Sequence, residues 1–169
     1  DIVTGDRDLF QLVDDDRAVR VLYTARGVSR HEVITNDVIL AKYGIQAAQY
    51  ADFATLRGDA SDGLPGVAGV GEKTAASLLR KFGTIAGLQA AAADPASELA
   101  PGFRAKLLAA TDYLAVAPQV VEVARNIDLP AVDTSRPRTP VDHAAVVALA
   151  ERYGLDSPMA RVVQSLSGV

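Results

Sequence analysis

The 169-residue sequence contains no cysteine, which excludes disulfides and thiolate metal sites. Any metal would therefore have to use oxygen or histidine ligands, and the absence agrees with a cytoplasmic location. Long apolar runs are also lacking. The longest uncharged segment, 82–93, falls short of the roughly 20 apolar residues that cross a bilayer, so we expect no membrane association. The N-terminus lacks both a signal-peptide pattern and an initiating methionine, so we expect the protein to continue upstream.

Basic residues are not in excess, because 17 Lys and Arg stand against 21 Asp and Glu, a net charge of −4. This excludes a surface coated with basic residues but permits a local basic patch beside a cluster of acids. The acidic run at 14–16 is interpreted as a solvated turn. Apolar residues make up 49% of the chain, which is ample for a packed core.

Residue patterns divide the chain into an α/β region and a helical region. Short β-branched runs predict a strand at DIVTG and a hairpin over 19–34. Helices are predicted from Thr35 onward, with Thr35 or Asn36 as the first cap and Gly44 at that helix's end. Later helices are predicted over 46–56, 74–82, 85–92, 101–116, 140–154 and 158–166, with a linker at 130–140.

The stretch GDASDGLPGVAGVGEKT has the glycines of a phosphate-binding loop. It does not match a nucleotide P-loop, because Glu72 is inserted and Lys73 comes one position late. It does not match a dinucleotide fingerprint either, because Thr74 replaces the third glycine and no strand precedes it. The remaining interpretation is a helix-hairpin-helix that grips a DNA backbone phosphate, since Gly69 and Gly71 allow backbone amides to approach it closely.

Polar side chains suited to phosphate follow these glycines. Lys73 supplies a point charge and Thr74 a hydroxyl, while Arg80 and Lys81 lie two turns further along the same predicted helix. The glycines taken alone would also fit a tight corner between two helices with no ligand, so this structural alternative stays open.

Four aspartates occur in two close pairs. Asp6 and Asp8 follow the first predicted strand, and Asp59 and Asp62 precede the glycines. Carboxylates at the ends of rigid elements suit Mg²⁺ or Mn²⁺, and two such ions about 3.5–4 Å apart hydrolyse phosphodiesters. Each aspartate could instead cap a helix or a turn.

The motifs VTGDRDLFQLV at 3–13 and RGDASDGLPGVAGVGEKTA at 57–75 resemble the bacterial 5′-3′ exonuclease and flap endonuclease family, which includes the N-terminal domain of DNA polymerase I. The resemblance implies the C-terminal part of such a nuclease. The lack of a following polymerase sequence favours a stand-alone enzyme, and a domain of a larger polymerase stays open. The resemblance also implies an α/β fold with a partial PIN-like nuclease core, followed by a mainly α-helical region with a helix-hairpin-helix motif. We divide the chain into a nuclease core at 1–57, a helix-hairpin-helix region at 58–129, and a linker with C-terminal helices at 130–169.

The same resemblance implies a set of functional residues. The catalytic metal ligands would be Asp6, Asp8, Asp59 and Asp62, holding two or more Mg²⁺ or Mn²⁺ ions per complete active site. The candidate DNA-binding residues are Gly69, Gly71, Lys73, Thr74, Arg80 and Lys81. A potassium ion at the carbonyls of the loop is also implied. Gly63 departs from the asparagine that is common at this position of the family.

The implied activity is metal-dependent hydrolysis of duplex DNA near a 5′ flap or a 5′ end in replication and repair. The family's first strand, helical arch and upstream acidic cluster are not in the sequence. We therefore expect residues 1–169 to bind DNA, to need the upstream part of the nuclease as partner, and to be inactive alone. The alternatives are a non-catalytic helix-hairpin-helix module and a purely structural helical domain. Asp59 and Asp62 favour the nuclease, because a pure phosphate-binding loop gains nothing from two nearby anions.

Overall fold

The computed structural model describes residues 1–135 and 137–168 and divides into two compact units, Asp1–Arg125 and Asn126–Val169. Arg136 and Val169 lie outside the described residues, so the predicted linker at 130–140 and the region 130–169 are described in part. The division into three functional regions stays a prediction.

A small sheet opens the first unit. Its strands are β1 (Ile2–Thr4), β2 (Val21–Tyr23) and β3 (Glu32–Ile34), in the order β1-β2-β3. β1 runs parallel to β2, and β2 pairs with β3 in the antiparallel direction. The predicted first strand and the predicted hairpin are therefore confirmed, and so is the α/β class.

Most of the remaining chain is helical. The α-helices are α1 (Asn36–Tyr43), α2 (Tyr50–Arg57), α3 (Glu72–Phe82), α4 (Ile85–Ala93), α5 (Pro101–Ala109), α6 (Thr111–Val121), α7 (His143–Tyr153) and α8 (Asp156–Ser167). Single turns of 3-10 helix occur at Asp8–Leu12, Val28–Arg30, Ala47–Gln49 and Ala60–Asp62. The predicted cap of α1 is confirmed, because Thr35 accepts from the Val38 N–H and Gly44 ends the helix in the left-handed conformation.

The single helix predicted over 101–116 is wrong, because the structure divides this segment into α5 and α6 at Ala110. The Thr111 hydroxyl donates to the Leu108 carbonyl at 2.7 Å, a local bond that competes with regular helix geometry. The two helices also serve different neighbours, since α5 packs mainly on α4 and α6 on α2.

Two predicted helix starts are shifted. α3 begins at Glu72 and not at Thr74, because the Gly71 carbonyl already accepts from the Ala75 N–H at 2.9 Å. The helix predicted from Pro140 begins at His143, where the Asp142 carboxylate accepts from the N–H of Ala145 at 2.8 Å. In the second case a stronger capping residue lies just beyond the proline.

Aromatic side chains form the centre of the first unit. Phe10 is fully buried, and its ring lies edge-on to Tyr23 at 5.2 Å and to Tyr50 at 5.3 Å between centroids. Phe53 is also fully buried and contacts the Tyr50 ring. This packing holds the segment after β1 against α2, and α2 leads directly to Asp59.

A buried side-chain amide ties the same segment to the end of α6. Gln11 is 2% exposed, and its Nε2 donates to the Val121 carbonyl at 2.8 Å. The Oε1 of Gln11 accepts from the backbone N–H of Val123 at 3.3 Å, and its backbone carbonyl accepts from Arg125 Nη2 at 2.8 Å. The polar atoms of a buried glutamine thus have partners, which burial requires.

The second unit contains α7 and α8. Ala150 of α7 is buried, and the two helices form a groove of about 410 Å³ lined mainly by apolar side chains. Among the helices that the structure describes, none is long and apolar enough to cross a membrane.

Candidate metal and nucleic-acid site

Asp6 and Asp8 follow directly after β1. The backbone N–H of Asp6 donates to Thr4 Oγ1 at 3.0 Å, and the Asp6 carboxylate accepts from the backbone N–H of Asp8 at 3.0 Å. These bonds form a local turn in which Asp6 is exposed and Asp8 is half-buried. The Asp6 carboxylate therefore also has the local capping role that its sequence position permitted.

Asp59 and Asp62 lie in a closed loop, residues 58–64, which we call the carboxylate turn. Asp59 and Leu64 exchange two backbone hydrogen bonds of 2.9 Å, which close the turn. Its base is unusually tight, since a Cβ on Gly58 would lie 2.6 Å from the Gly66 nitrogen. A Cβ on Gly66 would lie 2.5 Å from the Arg57 carbonyl oxygen. Only glycine fits at both positions, and both have positive φ.

Within the carboxylate turn, Asp59 is held by neighbouring donors. Its Oδ1 accepts from the backbone N–H of Ser61 at 3.0 Å and from the Ser61 hydroxyl. These bonds, together with the positive charge of Arg57, lower the pKa of Asp59. Asp62 is exposed at the end of the turn, and the left-handed Gly63 follows it with open space around its Cα.

The two pairs of aspartates lie close enough to affect one another. Burial raises the pKa of Asp8 above its ordinary value, and the negative charges of Asp6, Asp62 and Asp59 raise it further. The structure therefore brings the end of β1 and the carboxylate turn to the same side of the first unit.

The chemistry of these groups suits a hard divalent cation, because carboxylate oxygens are the ligands that Mg²⁺ and Mn²⁺ prefer. The repulsion around Asp8 is also the kind of electrostatic cost that a cation would relieve. Across residues 1–135 and 137–168, however, no group of three or more His, Cys, Asp or Glu side chains is arranged to hold a metal ion. The four aspartates thus have the oxygen donors that such a cation takes, but the described residues do not complete a metal site.

Residues 65–71, which we call the glycine-rich loop, connect the carboxylate turn to α3. Val67 and Val70 are buried, and the Val70 N–H donates to the Val67 carbonyl at 2.9 Å. Gly69 and Gly71 are exposed, and Gly69 has a φ of 69°. The loop is thus anchored by its valines and presents its glycines to solvent, directly before the N-terminus of α3.

The predicted basic residues are divided between the two ends of α3. Lys73 is exposed and Thr74 half-buried in the first turn, next to the glycine-rich loop. Arg80 and Lys81 lie in the last turn, about 10 Å further along the helix axis. Lys81 forms an ion pair of 2.9 Å with Glu98. The structure therefore brings only Lys73 and Thr74 to the loop.

Two cations near the loop were missed by sequence reasoning. Lys106 of α5 donates from Nζ to the Gly69 carbonyl at 3.0 Å, across 37 positions of the chain. Arg57 contacts the carboxylates of Asp59 at 3.3 Å and Glu72 at 3.4 Å. No local sequence pattern predicts the contact between Lys106 and Gly69, because it depends on the packing of α5. The contact between Arg57 and Asp59 could have been predicted, because the two residues are only two positions apart.

Comparison with known proteins identifies the relatives of this arrangement. A family described as 5′-3′ exonuclease, C-terminal SAM fold, matches residues 45–143. A 5′-3′ exonuclease of Streptomyces coelicolor is 54% identical over 99% of this chain and 56% of its own length. A DNA polymerase I of Mycobacterium bovis is 53% identical over 52% of this chain and 9% of its own length.

The fold is also found in a solved structure. The flap endonuclease of bacteriophage T5, in a pseudo-enzyme-product complex with DNA and metal ions, matches 98% of this chain and 52% of its own with a TM-score of 0.57 at 14% identity. The chain spans about half the length of the curated 5′-3′ exonucleases that it matches. With more than half of its residues matched by the family, this chain belongs to the 5′-3′ exonuclease family, the C-terminal SAM fold.

Proposed function

We propose that this chain supplies part of the metal site and a duplex-binding loop of a structure-specific 5′ nuclease. The proposal is supported most strongly by the placement of the aspartates: Asp6 and Asp8 directly follow β1, and Asp8 lies close enough to Asp59 and Asp62 that their charges add to burial and to Asp6 in raising its pKa. The carboxylate turn is continuous with the glycine-rich loop. A site for divalent metal and a site for a backbone phosphate would then be neighbours along one short segment.

The substrate class is DNA with a duplex and a 5′ flap or 5′ end, and the reaction is hydrolysis of a phosphodiester. Asp6, Asp8, Asp59 and Asp62 would hold Mg²⁺ or Mn²⁺ together with further ligands from the half of the family fold that this chain does not span. When bound, such ions activate water and stabilise the leaving oxygen. The lack of cysteine agrees with a cytoplasmic site of action.

On the duplex side, the exposed amides of Gly69 and Gly71 and the side chains of Lys73 and Thr74 would hold one backbone phosphate. We interpret α2, the intervening loop and α3 as the helix-hairpin-helix motif. Potassium binding at the loop carbonyls belongs to the same proposal. The carbonyls of Val67, Gly69 and Gly71 already accept hydrogen bonds from Val70, Lys106 and Ala75, so an ion would use carbonyls of the remaining loop residues.

The test is cleavage of a labelled 5′-flap DNA by a protein that carries these residues together with the rest of the family fold. Asp59→Asn and Asp62→Asn should each slow cleavage by about a hundredfold or more, because an amide is a poor metal ligand of similar shape. Flap binding in Ca²⁺ should change little. Cleavage at the wild-type rate by either variant would remove that residue from the ligand set.

The second candidate is a non-catalytic DNA-binding module. It is favoured by the lack of a three-ligand metal cluster among the described residues. Under this alternative, Asp59→Asn would affect only the stability of the carboxylate turn. The substitution would remove the negative charge from the side chain that accepts the Ser61 N–H. The flap assay therefore distinguishes the two functions.

A further inference from the structure

An unfavourable charge stands at the helix end that we propose to face DNA. Glu72 is the first residue of α3, between Gly71 and Lys73, and its side chain is 58% exposed. A carboxylate in the first turn stabilises the helix itself. It would also repel the phosphate that Lys73 attracts. The proposed DNA contact therefore needs something that offsets Glu72.

Arg57 is placed to do this. Its Nη1 lies 3.4 Å from Glu72 Oε1, while its Nη2 lies 3.3 Å from Asp59 Oδ2. The same guanidinium donates from Nε to the Gly58 carbonyl at 3.0 Å and lies over the Phe53 ring at 5.4 Å. The guanidinium of Arg57 thus uses its N–H groups for three oxygen partners while it lies over an aromatic ring. Lysine cannot reproduce this geometry, because its ammonium is a single point charge.

The burial of Arg57 makes its position well defined. Its side chain is 15% exposed, at the end of α2, whereas the Glu72 side chain that it contacts is mostly in solvent. A fixed cation paired with a mobile anion holds the anion near itself. Glu72 is thus drawn toward Arg57 and the carboxylate turn.

We propose that Arg57 is a positioning residue for DNA binding, which offsets the charge of Glu72 and so allows the first turn of α3 to accept a backbone phosphate. This inference rests on the proposed function, because it requires that the glycine-rich loop and Lys73 contact DNA. It adds a residue of α2 to the duplex-binding surface without any direct contact between that residue and DNA.

The experiment measures the affinity of residues 1–169 for a labelled duplex by fluorescence anisotropy at low salt. Arg57→Met should weaken binding by about two- to fivefold, the effect expected for an exposed ionic contact. Glu72→Gln should strengthen binding by a similar factor. The double variant should bind like Glu72→Gln alone, because Arg57 has no repulsion left to offset once Glu72 is neutral. A merely structural role of Arg57, or a direct contact with DNA, would lower the affinity by the same factor whether or not Glu72 is charged.

The matched control is Arg26→Met. Arg26 forms an ion pair of 3.6 Å with Glu32 in the β2–β3 hairpin, so its loss changes the net charge equally. The control should bind duplex within about twofold of the wild type. An equal loss in Arg26→Met and Arg57→Met would overturn the inference. So would a double variant that melts like the wild type yet binds more weakly than Glu72→Gln, by the same factor that separates Arg57→Met from the wild type.

Two further outcomes keep the result clear. If Arg57→Met does not fold, Glu72→Gln alone decides, and unchanged or weaker binding by that variant would overturn the inference. Lys73→Ala is measured alongside to test the proposed function separately. If Lys73→Ala binds like the wild type, the proposed duplex contact fails. If Lys73→Ala weakens binding while Arg57→Met does not, only the role of Arg57 fails.

Discussion

The carboxylate turn and the glycine-rich loop are consecutive along the chain but are held in place differently. The turn is closed by its own backbone bonds between Asp59 and Leu64. The glycine-rich loop is instead anchored by Val67 and Val70, which are 2% and 4% exposed. The loop's geometry is therefore fixed by the core of the first unit, whereas the turn is fixed by hydrogen bonds within itself and by the contact between Asp59 and Arg57.

This difference separates two parts of the proposed function. The proposed phosphate contact needs an accessible loop that is held in place, and the first unit has exposed Gly69 and Gly71 on a loop whose valines are buried. A two-metal site needs several converging carboxylates, whereas among the residues that the structure describes no three carboxylates are arranged to hold a metal ion. Binding should thus be separable from catalysis.

The largest expected effect is a loss of stability from a substitution at Gly66, where the carboxylate turn and the glycine-rich loop meet. Gly66→Ala should destabilise the first unit by roughly 3 kcal/mol or more, since its Cβ would meet backbone atoms in a left-handed conformation. The nearest of these atoms, the Arg57 carbonyl oxygen, would lie at 2.5 Å. Urea unfolding measures the loss.

Gly63→Ala is the matched control, because Gly63 has the same φ of 71° but open space where its Cβ would lie. Gly63→Ala should lower the free energy of unfolding by only about 1 kcal/mol, the cost of placing an alanine in the left-handed conformation without a steric clash. Gly63→Asn should be nearly neutral, since asparagine tolerates this left-handed conformation better than alanine does. Equal losses in Gly66→Ala and Gly63→Ala would contradict the close backbone contact.

A smaller effect is expected on duplex binding, which should depend on the glycine-rich loop and Lys73 and not on the carboxylate turn. Lys73→Ala should weaken duplex binding several-fold, equally for all sequences, and lower the slope of log affinity against log salt by about 1. Anisotropy titrations over a range of salt measure both. Lys42→Ala, which removes an exposed lysine paired with Glu32 at 3.6 Å, should leave the slope unchanged. A loss confined to particular DNA sequences would refute a backbone contact.

The smallest expected effect is on the melting temperature, when the charge of Asp8 beside the carboxylate turn is removed. The pKa of Asp8 is raised in the folded state, so the ionised carboxylate lowers the free energy of unfolding at neutral pH. This loss of stability is removed as the pH falls through the folded-state pKa and Asp8 takes up a proton. Asp8→Asn should therefore melt slightly higher than the wild type at neutral pH in a chelator. The difference should disappear below the ordinary aspartate pKa of about 3.9. A lower melting temperature at neutral pH would contradict repulsion at this site.

Local features of the fold were predictable from sequence because their signals are local. Thr35 was one of the two residues predicted to cap α1, and its side chain accepts the expected backbone N–H. The break at Ala110 was not predictable, because it depends on which helices α5 and α6 pack against. Propensity favours a continuous helix there, and tertiary contacts override it.

The site divides in the same way. The spacing of the aspartates and glycines is a sequence property, so the candidates Asp59, Asp62 and Gly69 could be named in advance. The tight approach of Gly66 to Arg57 and the Lys106 contact to Gly69 are properties of packing. The metal and DNA roles of the named residues stay predictions.

The most direct measurement of the whole account uses residues 1–169 and a labelled 5′-flap DNA. We expect weak, salt-dependent binding to the duplex and no cleavage on a denaturing gel in Mg²⁺ or Mn²⁺. The proposed phosphate contacts all lie in this chain, whereas its described residues contain no group of three metal-ligating side chains. Asp59→Asn is run alongside to exclude a contaminating nuclease. Cleavage by the wild type that disappears in Asp59→Asn would show that these residues suffice for catalysis, and would contradict the separation of binding from cutting.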